Sequence, residues 1–558
     1  MPQKIEGGYL MLQQPFIRSG AHAHTLSLDA PVNEDVLRAV NIVQATPWRV
    51  NRFIFDLADA CWTRGDRLGG LPAAEPAPLP APFADDVWAN MPRAMQVQHK
   101  VHLSAIHSAN ATATGAREEL LRKLQIARDL VDKERWWHVW SVDFRYRMYP
   151  LSQDLNPQGD DLARALHMFA DGKPIGPRGH LWIAAQLGAV FGNGVDKLDP
   201  MSRIDWVLQH EAEIVESFEE PLDGRRFWCD ADAPWSFLAA CQEWAMYRRH
   251  GATHISHIPI QVDGSCNGLQ HLAALARDPV GAAAVNMRSN MPRQDVYTQV
   301  SDAANLTIVT DCANNEAAAL AWRGKVNRAT VKRAVMTTPY GVTARGMRDQ
   351  FIMDGHTKAV VLDSTIVAAN YLRDVVSSSI GATVASARLV MGYLQGVALA
   401  QAKMGIPLDW TLPDGARVRQ AYWKRIPSYA DTMWGKVLLW REDPETELAT
   451  RKQELAAAPQ FVHSLDALHL RRTVLAMARG GNLPSLSMVH DSYGTHACDM
   501  DLMADTLRKQ FVRIYSEDLL AQFDAEQRAA HPDVKMPALP ERGSYRVKEV
   551  LDAPFFFS

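Results

Sequence analysis

Apolar residues recur at helical spacing along most of this chain, and only a few short runs have the β-like character of strands. The first thirty residues read as extended. From Val32 to Trp62 the spacing is helical, interrupted at Thr46-Pro47. Thr46 can cap a second helix with Pro47 in its first turn, so the pattern predicts two helices end to end. Leu71 to Pro82 carries five prolines in twelve positions and is expected to be a stiff, extended connector. A helix over roughly Ala111 to Trp137 has Arg, Lys and Glu on one face, the pattern of a solvated surface. Ile258 to Val262 and Ser485 to His490 are β-like, with Pro259 tolerable only near a strand start. Between them, Arg323 to Thr338 and Thr365 to Met404 are helical. Short, non-adjacent strands among long helices predict a mostly helical α+β fold with a small sheet, not a doubly wound one. No internal repeat is evident.

Composition narrows the class. At 558 residues, with 47 % hydrophobic and 22 % charged residues, the chain suits two to four lobes of roughly 150 residues each. No apolar run approaches the roughly 18 residues of a membrane-spanning helix. The N-terminus lacks a signal-peptide pattern, and no membrane partner is expected. Six scattered cysteines without a CxxC pair read as reduced thiols. The net charge of −4 denies the chain a global basic footprint for nucleic acid, although a cleft can focus positive charge inside a near-neutral protein.

Both β-like runs end at an aspartate, Asp263 and Asp491. Brought together, two such carboxylates repel unless divalent metal neutralises them, and metal so held serves phosphoryl displacement. Alone, strand-end aspartates are common turn residues. The second signal is a basic stripe. Arg328, Lys332 and Met336 lie four apart, with Arg333 beside them and no carboxylate between. Such a stripe suits a triphosphate, as well as a plain solvated face. Pro339 biases Thr338 out of the helical region, so the helix is expected to end just before Tyr340, and Gly341 lets the chain turn away.

The series from Arg328 to Gly341 (R-x-x-x-K-x-x-x-M-T-x-x-Y-G), DGSCNGLQH from Asp263 and HDSYGT from His490 resembles the single-subunit, phage-type RNA polymerases of T-odd phages and mitochondria. NIVQATPWRVN (Asn41–Asn51), NPQGDD (Asn156–Asp161), GKPIG, GVDK, FVHSLDALHLRRTV (Phe461–Val474), KMPALP and an aromatic C-terminus extend the match nearly end to end. The resemblance implies a right-hand polymerase with palm, fingers and thumb and a small antiparallel palm sheet. It places an N-terminal segment and thumb-like helices in 1–130, the first palm part in 131–291, fingers in 292–469, and the second palm part with a C-terminal foot in 470–558. Within the fingers lie the basic helix 323–338 and a specificity-hairpin-like region, 416–459.

By the same resemblance Asp263, Asp491 and the Gly264 carbonyl hold two Mg²⁺ ions, with Mn²⁺ a possible substitute. Lys332, grouped with the two aspartates as catalytic, and Arg328 hold the incoming NTP, and Lys197 reaches the same phosphates. Tyr340 closes over the nucleotide, and His469 senses the ribose 2′-hydroxyl. His490 supports its neighbour. The expected partners are DNA template, RNA product and NTPs, and the expected location is the cytoplasm of a phage-infected bacterium.

Two departures stand out. The family's D-x-x-G-R motif reads Asp143-Phe144-Arg145-Tyr146-Arg147, so Tyr146 either stacks on a base or changes the backbone, while Arg145 and Arg147 remain candidate nucleic-acid contacts. Pro339 replaces a small or apolar residue. In the hairpin-like region Arg417, Arg419, Lys424, Arg425, Lys436 and Arg441 interleave with Tyr422, Trp423, Trp434 and Trp440, a pattern that suits nucleic acid or a packed loop. About 260 residues precede Asp263, short of the family's upstream promoter-binding domain. This predicts reliance on an accessory promoter-opening protein, a single-strand DNA-binding protein or a second subunit. Met1 and the family-like C-terminus favour a complete gene product over one piece of a split enzyme. The rival reading is a family-A-like DNA polymerase or primase, opposed by Ser492 after His490-Asp491, where that group usually carries Glu, and by Met336-Thr337 and His469.

Overall fold

Asn33 accepts a hydrogen bond from the Val36 N–H and starts the helix Glu34–Gln44, whose Val36, Ala39, Val40 and Val43 face the core. The computed structural model describes residues 6–8, 13–18, 33–289, 291–314, 316–362, 364–433, 435–442, 446–479 and 483–557. The predicted end-to-end helices are separated by a strand, Trp48–Val50, antiparallel to His167–Phe169. Asn51, not Thr46, caps the second helix, Arg52–Arg64. The buried Thr46 hydroxyl instead accepts from the Leu486 N–H at 3.0 Å, next to the strand that leads to Asp491. Of the first thirty residues, Glu6–Gly8 pairs with Gln13–Pro15, and Ile17–Arg18 runs parallel to Trp140–Asp143; most of the others lie outside the described residues.

The proline-rich connector is extended and largely exposed, and it is tied along the long helix Arg93–Leu130. The Asn110 amide pairs with both backbone groups of Ala77, at 2.8 and 2.9 Å. That helix begins before the predicted Ala111 and ends before Trp136, which bridges to Trp48. Its charged face is not wholly solvated, because Lys123 is buried against Asp160.

The central sheet has three antiparallel strands: Ile260–Asp263, Ser492–Thr495 and Ser487–Val489, with Ser492–Thr495 in the middle. The helix Asn267–Ala276 follows directly and is buried along its whole length. Beyond it the chain is helical. Gly324, at φ 69°, follows the helix Ala317–Trp322, and an Asn327–Thr330 capping box opens Arg328–Thr337. The basic helix is therefore shorter than the predicted 323–338. The predicted helical stretch from Thr365 to Met404 is two helices, Thr365–Thr383 and Ala385–Lys403, bent by 101°. No single described helix is long and apolar enough to cross a membrane. Arg425–Thr432 and Gly435–Glu442 form an exposed antiparallel hairpin, and the 28-residue helix Thr450–Met477 then crosses the core. Mostly helical α+β architecture with small antiparallel sheets is what the pattern predicted.

A buried histidine pair lies beside the Trp48 strand. His167 Nδ1 lies 2.6 Å from the Ala163 carbonyl and must donate to it. Its Nε2 then accepts from His138 Nε2 at 2.9 Å, and His138 Nδ1 accepts from the Ser152 hydroxyl. Burial, and for His138 also its neighbour, holds the two imidazoles down at about 2 and about 4. The unfolded chain binds these protons below about pH 6.5, whereas the folded chain resists them, so stability falls with falling pH. Thermal melting is expected to drop between pH 6.5 and about 4, and to drop less in a His138→Phe/His167→Phe variant; equal slopes would remove the pair as the cause.

Candidate active site

Strand register brings the two aspartates together. Asp263 ends its strand opposite Ser492, and Asp491 is the residue before Ser492, in a two-residue turn with His490. His490 has φ 54° there, a left-handed conformation costly for a non-glycine residue. Asp263 is open to the cleft yet recessed among protein atoms. Burial raises its pKa, the Ser492 hydroxyl works against the rise, and the Asp491 charge adds to it. Burial raises Asp491 as well. A cavity of about 420 Å³ borders both carboxylates, with Arg164, Gln186, Asp232 and Gln261 also on its walls.

Two carboxylates held this close fit a divalent cation. Among the described residues there is no cluster of three or more His, Cys, Asp or Glu that could hold a metal by itself. That donor set suits Mg²⁺, which takes its remaining ligands from water and substrate phosphates. The Gly264 carbonyl accepts from the Cys266 N–H at 2.8 Å, which leaves one lone pair for a metal.

The basic helix meets this site through Tyr340. A Cβ added to Gly268, one residue into the helix after Asp263, would sit 3.1 Å from the Tyr340 hydroxyl and 3.0 Å from Pro339. A side chain there would press on both residues, so glycine favours this close approach. On the stripe, Lys332 is exposed and makes no ion pair or hydrogen bond among the described residues. Arg328 is engaged: its Nε donates to Asp295 and its guanidinium lies 5.0 Å from the Tyr297 ring. Burial works to raise Asp295, but Arg328 holds it below the usual carboxylate range. Lys197 pairs with Asp196. Arg293, which the sequence reading passed over, links the two segments: burial lowers its pKa, and it feels Asp196, Asp295 and Arg328 together.

The Asp143–Arg147 turn resolves the first departure. Tyr146 adopts φ 68°, the backbone that a glycine takes freely, and its ring is buried. It does not stack on a base: its hydroxyl donates to the Arg417 carbonyl at 2.9 Å, under the Arg471 guanidinium. Burial pushes its pKa up to about 12. Arg145 and Arg147 are both ion-paired within the protein. Arg145 is paired with Asp143 (2.6 Å), and Arg147 holds both oxygens of the buried Asp466. In the hairpin-like region Arg417 and Arg419 flank Asp409 at 2.8 and 3.7 Å, Lys424 pairs with Glu447 and Tyr422 is buried. Trp434 lies outside the described residues.

His469 is not brought to Tyr340. It is 1 % exposed, with Nε2 bonded to the Leu507 carbonyl and Nδ1 to the Tyr493 hydroxyl, and burial lowers its pKa to about 4. The histidine stacked on Tyr340 is His463, six residues earlier on the same helix, at 4.6 Å between ring centroids. Its sequence signal was slight: it lies inside the quoted Phe461–Val474 stretch, one helical turn before Asp466.

A family model for DNA-dependent RNA polymerase matches residues 173–534, which takes in both aspartates, the basic helix and Tyr340. The chain belongs to that family. The mitochondrial DNA-directed RNA polymerase 1B of Nicotiana tabacum is 36 % identical over 99 % of this chain and 56 % of its own length. The mitochondrial RNA polymerase 1 of Arabidopsis thaliana is 34 % identical over 94 % of this chain and 54 % of its own. The chain thus spans about half the length of these relatives. Among solved structures, the POL domain of Pol1 from M. smegmatis with DNA primer-template and dNTP covers 87 % of this chain and 67 % of its own, at 12 % identity and TM-score 0.40. The relatives overturn one expectation. They are mitochondrial and chloroplastic plant enzymes, and they point to organelles, not to the cytoplasm of a phage-infected bacterium.

Replacing Tyr146 by Phe is expected to cost about 1 kcal/mol in urea unfolding, one hydrogen bond. Tyr146→Gly is expected to cost more, because relief of backbone strain worth roughly 1–3 kcal/mol does not offset a lost buried ring worth roughly 3–5 kcal/mol. A glycine variant more stable than the parent chain would contradict this account.

Proposed function

We propose that this chain performs DNA-templated RNA synthesis, adding NTPs to an RNA 3′ end by two-metal nucleotidyl transfer. One observation supports the reading: strand register brings the Asp263 and Asp491 carboxylates together, and Tyr340, three residues past the basic helix, packs against Gly268 of the helix that follows Asp263. Asp263, Asp491 and the Gly264 carbonyl would hold Mg²⁺, or Mn²⁺ in its place. When bound, the two ions supply activation of the attacking hydroxyl and charge stabilisation at the leaving oxygen.

The protein's own groups do the positioning. Lys332 offers an unpaired ammonium to the triphosphate, and Arg328 exchanges Asp295 for a phosphate oxygen, a trade between two anions. Lys197 and Arg293 add positive charge beside Arg328. Tyr340 closes the site over the nucleotide. A ribose contact by His469 requires its ring to release the Leu507 carbonyl or the Tyr493 hydroxyl. Template sequence enters through base pairing. The near-neutral charge supports reliance on a further segment or an accessory protein, such as a single-strand DNA-binding protein or second subunit, to open duplex DNA. A DNA polymerase or primase is the less favoured reading, given relatives named as RNA polymerases.

On a preassembled RNA–DNA scaffold, the purified chain is expected to extend RNA with NTPs in a Mg²⁺-dependent reaction. Asp491→Ala should lose roughly a thousandfold or more of that rate. Lys332→Ala should raise the NTP KM about tenfold, worth ~1.4 kcal/mol. A preference for dNTPs would move the reading to a DNA polymerase. On linear duplex promoter DNA little transcript is expected, with synthesis restored when the template is pre-melted; efficient initiation on the duplex by the chain alone would sink the accessory requirement.

A further inference from the structure

The run NPQGDD, Asn156 to Asp161, holds neither metal nor triphosphate in the reading above. Its polar side chains are nonetheless engaged, each in a different direction. The Asn156 amide oxygen accepts from the Gln158 N–H at 2.9 Å, and its nitrogen donates to the Ser152 and Gln153 carbonyls, which closes the loop on itself. A Cβ on Gly159 would lie 2.7 Å from Ala163 Cβ, so the loop sits tight on the helix Asp161–Ala165. Asp160 caps that helix through the Ala163 N–H and pairs with the buried Lys123 of Arg93–Leu130. Asp161 accepts from the Trp235 and Ser236 N–H groups, at the start of the helix Pro234–His250. The run is a fixed block beside the carboxylate cavity, which Pro157 helps to line.

Gln158 ties this block to the sheet that carries the carboxylates. Its Nε2 donates to the Met148 carbonyl at 3.0 Å and to the Met488 carbonyl at 3.1 Å, one N–H for each. The two carbonyls belong to outer strands of different sheets. Met148–Pro150 is the outer strand beside Trp140–Asp143, and Ser487–Val489 is the outer strand of the sheet that holds Asp263. The amide thus bridges a gap that no strand ladder closes among the described residues. Met488 stands three residues before Asp491. Between them lies His490, whose left-handed φ of 54° persists only where neighbouring structure holds it. On one side the turn is held by the pairing of Val489 with Ser492. On the other it has the Gln158 bridge and the Tyr149 ring, which meets the His490 ring edge-on at 4.9 Å between centroids.

We infer that Gln158 is a positioning residue for Asp491: by tying the Met488 carbonyl to the Met148 strand, its amide holds the strained His490–Asp491 turn where the two carboxylates meet, and so sets how tightly the pair takes a divalent cation. This rests on the two-metal reading above and adds to it a residue outside the metal and nucleotide groups. Without the amide both carbonyls lose a donor, the outer strand is free to shift, and Asp491 loses its fixed place beside Asp263. Lys332, Arg328 and Tyr340 belong to other elements and keep theirs. The loss therefore falls on metal affinity, in the roughly tenfold range seen when groups that orient metal ligands are removed.

The test uses the full chain as Gln158→Met, which keeps the length without a donor, and as Gln158→Glu, which keeps the shape and turns an acceptor toward two carbonyls. Asn33→Ala, which removes a helix cap outside the motif, is the comparison for a general loss of stability. Mn²⁺ alone is the probe: free and bound ion are counted by electron paramagnetic resonance, and the site in question is the one that Asp491→Ala removes. Both Gln158 variants are expected to bind Mn²⁺ roughly tenfold more weakly than the parent chain, with Asn33→Ala unchanged. Amide hydrogen exchange over Ser487–Thr495 should quicken in the Gln158 variants and not in Asn33→Ala. In single-nucleotide extension the half-saturating Mg²⁺ concentration should rise about tenfold, while the NTP KM at saturating Mg²⁺ stays within about twofold. Unchanged Mn²⁺ affinity in either folded Gln158 variant, an equal loss in Asn33→Ala, or unchanged exchange at the turn overturns the inference. If the parent chain fails to extend RNA yet binds Mn²⁺ more tightly than Gln158→Met, the polymerase reading falls and the inference stands. A parent chain that binds no Mn²⁺ at Asp491 overturns both.

Discussion

Two like charges are forced together at the end of a three-stranded sheet, and much of this molecule is arranged around the cost of doing so. Asp263 and Asp491 come from sequence positions far apart, and each has its pKa raised by burial. Register permits no alternative, because sliding the pairing by one residue would turn Val262 and Tyr493 out of the core. Like carboxylates held together in this way repel each other unless a positive charge lies between them.

Holding that geometry falls to the helix Thr450–Met477. It buries Asp466 against Arg147, and breaking such a pair costs roughly 3–5 kcal/mol because a buried charge is left unmatched. Through Pro459 and His463 it also receives the Tyr340–Gly341 segment. Arg471, two residues after His469, binds Asp414 and covers Tyr146, which ties the strand Arg417–Gln420 to the Asp143–Arg147 turn. One helix thus links the Tyr340–Gly341 turn after the basic helix, the arginine turn and the base of the exposed hairpin.

Much of this was legible beforehand. The basic helix does end before Tyr340 and both aspartates do end β-like runs, but Thr338 keeps helical dihedrals (φ −59°, ψ −50°) against the bias of Pro339, and the chain turns away at Gly341, whose φ is 74°. These features are local, set by backbone sterics and residue type. The misreadings share another origin. Thr46-Pro47 has the chemistry of a helix start, but Trp48–Val50 found a strand partner more than a hundred residues away and took the extended state instead. Arg145 and Arg147 read as cations in sequence, and the partners they take in the fold, Asp143 and Asp466, were not legible there.

The sequence by itself determined the mostly helical class, the strand ends at Asp263 and Asp491 and the family, because prolines, periodicity and ordered motifs act within a few residues or survive as linear strings. Which histidine meets Tyr340, which cations stay unpaired and how Tyr146 tolerates a glycine's place were decided only by the tertiary structure. Ring stacking, ion pairing and burial depend on distance in space, and residues six apart on a helix face different directions. His463 and His469 are the clearest case: one stacks on Tyr340 and the other is buried in the core.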